Sequence, residues 1–200
     1  MSIRAERKLQ SQQAILETVL KLNDAGQNFS SMSLRQLARD VGVVPSALYR
    51  YFENKVLLAS ALVDHVAYVI KSDLNLMIYC LLQPAQTSKL EHFFNQITQH
   101  GTYWHFFIAE RWGGFALLES KIEYEIKDLN DHVAQCLSRK LHQSQQADAH
   151  TLAGIVLPLF FTWIMRWLRC QKQALPEIEQ KKCLVQIQAQ LMLLITVPKG

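Results

Sequence analysis

Two hundred residues, half of them hydrophobic, suffice for one domain with a substantial core or for a small module joined to a larger one. Seven glycines and five prolines are too few for a turn-rich all-β fold or a disordered chain. The net charge of +4 is modest, but residues 1–55 hold eight Lys/Arg against five acids and the rest thirteen against twelve, so the positive excess sits in the first quarter and favours a polyanionic partner there.

In chain order the sequence reads as helix after helix, and all-α is the fold class it predicts. Gln12–Ala25 carries Ile15, Val19, Leu20 and Leu22 near helical spacing, with Gly26 as the stop. The polar stretch ahead of it, MSIRAERKLQSQQ, has no apolar run and does not read as a signal peptide. Ser33-Leu34-Arg35-Gln36 predicts a capping box, in which Ser33 caps and Gln36 reaches back to its amide. Leu34, Leu37, Ala38 and Val41 stripe a helix of about two turns, ended by Gly42. After Gly42-Val43-Val44, Pro45 opens a second short helix to Phe52. Leu48 and Phe52 face inward there, while Ser46, Tyr49, Arg50 and Glu53 face elsewhere.

Asn54 then caps a long helix from Lys55 to Leu76, with Val56, Leu62, Val63, Val66, Val69 and Ile70 on its buried side. A loop containing Pro84 covers Gln83–Ser88. Further helices are expected at Lys89–His100, Tyr103–Glu110, Phe115–His142, Thr151–Gln173 and Pro176–Thr196, separated by Gly101, Gly113-Gly114 and the polar run Gln143–His150. No strand pair is bounded by an Asn-Gly or Asp-Gly turn.

The run TLAGIVLPLFFTWIM between His150 and Arg166 is fifteen uncharged residues long. A membrane span needs about twenty, so the run reads as a buried or subunit-interface helix, bent at Pro158 by the clash with the Gly154 carbonyl. Cys80, Cys136, Cys170 and Cys183 form no Cys-x-x-Cys pair and read as reduced cysteines of a cytoplasmic protein. His100, His105 and Glu110 are interrupted by Gly101 and do not make a metal site. Glu110-Arg111 reads as a salt bridge, and Glu119, Glu123 and Glu125 as a solvated face. No Ser/His/Asp set, phosphate-binding loop or dinucleotide turn appears, so neither an enzyme nor a bound cofactor is expected.

Two short helices joined through a Gly-containing turn predict a helix-turn-helix, whose second helix enters the DNA major groove. Tyr49, Arg50 and Tyr51 at its tip suit phosphate oxygens, and Lys55 opens the next helix, whose N-terminus attracts anions. Val44, Pro45, Ser46 and Ala47 are small enough for the backbone to lie close to base edges, and their apolar groups suit thymine methyls.

SLRQLARDVGVVPSALYRYFENK resembles the DNA-binding domain of TetR-type bacterial repressors in Ser33-Leu34-Arg35, Leu37-Ala38, Gly42-Val43, Leu48-Tyr49, Tyr51-Phe52 and Asn54-Lys55. The resemblance implies DNA contacts at Arg35, Val44 to Ala47, Tyr49, Tyr51 and Lys55; Ser33 and Arg50 complete the candidate set. Position 51 is often His in such repressors, and Tyr keeps a donor. Position 44 or 45 is commonly polar there, whereas both are apolar here. The resemblance further implies a DNA-binding domain over 1–54 and an effector-binding and dimerisation domain over 55–200, with Lys55–Leu76 as the connecting helix.

Within that second domain the aromatic residues between 93 and 115 read first as core, and alternatively as the wall of an apolar ligand pocket. The candidate lining is Phe93, Phe94, Trp104, Phe107, Arg111, Trp112, Phe115, Phe160 and Trp163. The candidate dimer face is Leu152, Ile155, Val156, Leu159, Val185, Leu191 and Leu194, two helices from each copy. SLRQLARDVGVVPSALYRYF, with Glu110-Arg111-x-Gly113 and a helix through Glu125-Ile126, is also similar to the subgroup repressing unsaturated fatty-acid synthesis. That likeness implies a long acyl effector carried as a thioester. The expected function is a cytoplasmic homodimeric bacterial repressor on a palindromic double-stranded DNA operator, tuned by an apolar ligand, with no membrane partner. The alternative is an all-α lipid-binding protein or enzyme that does not bind DNA.

Overall fold

The computed structural model describes residues 3–82, 87–139 and 149–195. The expected loop around Pro84 and most of the polar run 143–150 therefore lie outside the described residues. Nine α-helices occur among the described residues, and no strand. They are α1 (Ile3–Asp24), α2 (Leu34–Val41), α3 (Pro45–Tyr51), α4 (Lys55–Leu82), α5 (Thr87–Gln99), α6 (Gly101–Ala109), α7 (Ala116–Ser138), α8 (Ala149–Lys172) and α9 (Glu177–Ile195), with 3-10 turns at Phe29–Ser31 and Glu110–Trp112.

Helix α1 starts nine residues before the expected Gln12, at Ile3. Residues 3–11 have no apolar stripe to betray a helix, but they are mostly straight-chain side chains with good helix propensity. Helix α4 likewise runs on past Leu76 to Leu82. Its buried face keeps Leu62, Val63, Val66 and Ile70 of the expected set and adds Leu58 and Ala59, while Val69 is half-buried and Val56 is 44% exposed.

The chain forms two compact units, residues 1–68 with 105–125 and residues 69–104 with 126–200. This division differs from a boundary at 54/55. That boundary falls at the start of α4, whose first half supplies Leu58, Ala59 and Leu62 to the core of the first unit. Residues 105–125 add Phe106, Phe107, Leu118 and Ile122 to that unit, beside Ile15, Val19, Leu20, Phe29, Leu37 and Leu48.

The second unit is built on Phe93, Phe94, Ile97, Trp104, Val133, Val156, Phe160, Ile164 and Trp167, all buried. Helix α8 packs against α5 and α9. The α8–α9 pair is antiparallel, in a register marked by Trp163 Nε1 donating to Gln190 Oε1 (2.7 Å) and Gln171 Nε2 donating to Gln180 Oε1 (3.2 Å). Helix α8 continues through Pro158. It is long and apolar enough to cross a membrane, with mean hydropathy 1.6 over its best window, but half of that window is buried in the fold. It is a core helix of this unit. Asp73, fully buried, accepts from Trp104 Nε1 (2.8 Å) and pairs with His100 Nδ1 at 2.9 Å.

Candidate nucleic-acid interface

The first unit places α2 against α3 across a turn set by Gly42. Ser33 caps α2: its hydroxyl oxygen accepts the amide of Gln36 at 3.1 Å. The reciprocal half of the expected capping box is missing. The Gln36 side chain donates to Asp40 (2.9 Å) and accepts from Arg39 (2.7 Å) instead, because both lie one turn along on the same exposed face. Gly42 adopts φ +80° and ends α2, while the Val43 amide closes back on the Ala38 carbonyl at 2.8 Å. A β carbon at Gly42 would meet no atom within 4 Å, so it is the left-handed backbone, not crowding, that selects glycine.

Helix α3 buries a single residue, Leu48. Val44 (65% exposed), Pro45, Ser46, Tyr49 (41% exposed) and Arg50 turn outward, Ala47 is half-buried, and Ser33 and Arg35 are exposed on the neighbouring helix start. Phe52, buried behind the C-terminus of α3, anchors it from within. Such a helix has little to offer its own core and presents small apolar groups followed by a Tyr-Arg pair.

Two further candidates have internal engagements. The Tyr51 hydroxyl is hydrogen-bonded by the Ser11 side chain of α1, and that bond, then Arg50, lowers its pKa below the ordinary tyrosine value. Lys55 donates from Nζ to the Ser30 carbonyl at 2.8 Å, and its ammonium sits 4.9 and 5.2 Å from the ring centroids of Phe29 and Phe115. Partial burial lowers its pKa, while Glu110 nearby acts to raise it. Asn54 caps α4 as expected, its Oδ1 accepting from the Leu57 amide at 2.9 Å.

Glu110 is not paired with Arg111. It is 1% exposed, and its Oε1 accepts from the Phe29 amide (2.8 Å) and Asn23 Nδ2 (2.5 Å). Arg111 lies over the Trp112 ring at 4.7 Å. Sequence reasoning read the adjacent opposite charges as a pair, whereas the 3-10 turn sends them apart. Asn23, buried one turn past Val19 and Leu20 on the core side of α1, and the half-buried Ser11 carried no signal in the chain pattern.

The nine candidate pocket residues do not fall in one unit. Phe93, Phe94, Trp104, Phe160 and Trp163 belong to the second, and Phe107, Arg111, Trp112 and Phe115 to the first. Phe93, Phe94, Phe160, Trp163 and Trp167 pack edge-on or tilted with centroids 4.9 to 6.3 Å apart. Trp112 is 75% exposed, and Phe115 stacks edge-on against Phe29 at 5.3 Å. A separate recess of about 200 Å³ in the second unit is lined by the polar and charged residues Lys71, Asn75, Asp128, Asp131, His132 and Gln135.

Of the candidate dimer residues, Ile155 (50%) and Val185 (62%) are exposed, and Leu152 and Leu159 half-buried. Val156 and Leu191 are buried in their own unit and drop out of any outer face, because both lie on the side where α8 and α9 meet the core. The Leu194 side chain lies outside the described residues. The exposed set gains Met192 and Leu193. Among the described residues no His, Cys, Asp or Glu cluster could hold a metal ion, and the four cysteines are free thiols.

Residues 25–62 match the family described as bacterial regulatory proteins, tetR family. A curated relative, an uncharacterized HTH-type transcriptional regulator of Haemophilus influenzae, is 26% identical over 200 residues, covering 95% of this chain and 92% of its own. In fold, the chain is similar to the crystal structure of a transcriptional regulator of the TerR/AcrR family from Aquifex aeolicus VF5. The TM-score is 0.61 at 17% identity, covering 92% of this chain and 98% of that one. The outward-facing α3 thus lies within the segment that matches the tetR family of bacterial regulatory proteins, and the whole chain is similar in sequence to an HTH-type transcriptional regulator and in fold to a TerR/AcrR-family one.

Proposed function

We propose that this protein is a cytoplasmic homodimeric repressor that binds a palindromic operator and is tuned by a small apolar ligand. The observation that carries the reading is α3, which buries Leu48 alone and offers Val44, Pro45, Ser46, Ala47, Tyr49 and Arg50 to a groove. Arg35, Tyr51 and Lys55 supply phosphate contacts beside it, with Ser33 at the start of α2. Two half-sites require two copies, and Ile155, Val185 and Leu193 on α8 and α9 offer an outer apolar face for a self-complementary interface. A gel shift with duplex DNA from upstream of the protein's own gene tests the reading. A specific shift supports it, and its absence favours the alternative of an all-α lipid-binding protein or enzyme.

The ligand reading rests on the aromatic cluster of the second unit, Phe93, Phe94, Trp104, Phe160 and Trp163. An acyl tail entering such a cluster gains about 0.8 kcal/mol per buried methylene. We assign a long-chain acyl thioester as the effector class. Titrating acyl thioesters of increasing length into the protein–operator complex tests this. Operator affinity that is flat with chain length removes the acyl reading and leaves the repressor reading standing.

A further inference from the structure

Glu110 lies far from the helix-turn-helix in sequence, yet its carboxyl group is buried in the same unit. Burying a carboxyl group is costly unless its bonds are specific. Here they are. Oε1 accepts the Phe29 amide at 2.8 Å and Asn23 Nδ2 at 2.5 Å, while Oε2 has no hydrogen-bond partner among the described residues. Space for Oε2 exists because residue 113 is glycine: a β carbon there would lie 2.0 Å from it.

The Phe29 amide opens the 3-10 turn that leads to Ser33, the cap of α2. The next carbonyl, that of Ser30, accepts Lys55 Nζ at 2.8 Å, on the first residue of α4. A continuous run of contacts therefore links Glu110 through Phe29 and Ser30 to Lys55. The charged groups acting on Glu110 are Lys55, which attracts the carboxylate, and Glu119 of α7, which repels it. On α6, His105 faces the same Asn23 through Oδ1 at 3.4 Å and stands 3.8 Å from Asp24.

We propose that Glu110 is a positioning residue for DNA binding: by fixing the Phe29–Ser31 turn it holds the Lys55 ammonium, through the Ser30 carbonyl, where it meets operator phosphate. The assignment rests on the reading of Lys55 as a phosphate contact. Glu110 itself touches no DNA. Without its carboxyl group the Phe29 amide is left buried and unpaired, the turn relaxes, and the Ser30 carbonyl no longer holds the ammonium in place.

The test is a double-mutant cycle read on DNA affinity across a salt series. It uses full-length protein and a duplex selected from random sequence by the wild type. Lys55→Ala should weaken binding about tenfold and flatten the slope of log affinity against log salt by about 0.9 per lost contact. Glu110→Ala should do the same while keeping its helical circular dichroism. The double variant should be no weaker than the weaker single, since both remove one contact. Glu110→Gln, whose amide oxygen accepts the same two donors, should bind within about threefold of wild type. If Glu110→Ala does not fold, Glu110→Asp replaces it: the shorter acid cannot reach the Phe29 amide and must weaken and flatten where Gln does not. A merely structural role predicts an unchanged salt slope and losses that add, and either result overturns the assignment. A wild type that binds no duplex overturns the repressor reading itself instead.

Discussion

Gly113→Ala measures how firmly the Glu110 carboxyl group is held. Gly113 has φ −77° and ψ −2°, ordinary right-handed backbone, so alanine suffers no conformational strain there. By itself the change should stabilise by about 0.4–1 kcal/mol, because alanine restricts the unfolded chain. The new β carbon, however, would lie 2.0 Å from Oε2 and 2.8 Å from Cδ of Glu110. The carboxyl group must move, and each way out breaks a bond to the Phe29 amide or to Asn23. A buried donor left unpaired costs about 1–3 kcal/mol, so the net expectation is a loss of about 1–2 kcal/mol. In a chain of this size that lowers Tm by about 2–4 °C per kcal/mol. Urea and thermal unfolding should be compared for wild type, Gly113→Ala, Glu110→Ala and the double variant. In the Glu110→Ala background the clash is gone, and Gly113→Ala should become neutral or stabilising. If Gly113→Ala stabilises the wild type as much as it stabilises Glu110→Ala, the carboxyl group swings freely and the reasoning is wrong.

Other outcomes follow from the same geometry. Burial, the largest influence on Glu110, raises its pKa against the pull of the Phe29 amide, Asn23 and Lys55. The folded protein therefore keeps a proton that the unfolded chain has released, and stability should fall as pH climbs from the ordinary glutamate value of about 4.3 to the raised folded one. Melting temperatures across that window should decline for wild type and be flatter for Glu110→Gln; parallel curves would show that Glu110 does not titrate there. Ser46 or Ala47 substitutions should change which operators are preferred, whereas Tyr51→Phe should weaken all operators about equally, as a comparison of selected duplex pools would show. Ile155→Asp with Val185→Asp should convert a dimer to monomers in light scattering while melting stays within about 1 kcal/mol, because both side chains are exposed; an unchanged mass would move the dimer face elsewhere.

The helix-turn-helix was legible because its signals are local. Ser33 as a cap, Gly42 as a left-handed stop, Pro45 in the first turn and Asn54 before α4 each act within four residues, and each is seen in its expected role. The extent of α1 and α4 was less so, since polar residues 3–11 and the second half of α4 mark no end by Gly or Pro. The role of Glu110 could not be read at all. Its partners, Asn23 and the Phe29 amide, are 87 and 81 residues away in sequence, and a backbone donor leaves no trace in side-chain pattern. The aromatic run 93–115 was legible as core, with Phe93, Phe94, Trp104, Phe106 and Phe107 buried, but not in its division between units. Composition marks its residues as buried, but not that the chain passes from one compact unit to the other at 104/105.

Helix α6 shows what polar groups add to such a chain. Its sequence, GTYWHFFIA, is apolar on most sides, so hydrophobic pattern alone specifies its rotation weakly. Each unit has one buried carboxyl group among the described residues. In the second unit Asp73 takes Trp104 Nε1 and His100 Nδ1, four residues apart and so on one face. In the first unit Glu110, in the turn that follows α6, takes the Phe29 amide and Asn23. Rotating α6 by one residue would leave the indole and imidazole donors off Asp73 and strand a carboxylate in an apolar interior, at several kcal/mol. The apolar side chains favour burial in any rotation; within the second unit the bonds of Asp73 to Trp104 and His100 discriminate among rotations. That division of labour lets the start of α6 carry apolar residues such as Trp104 and still be oriented by polar bonds that a hydrophobicity pattern passes over.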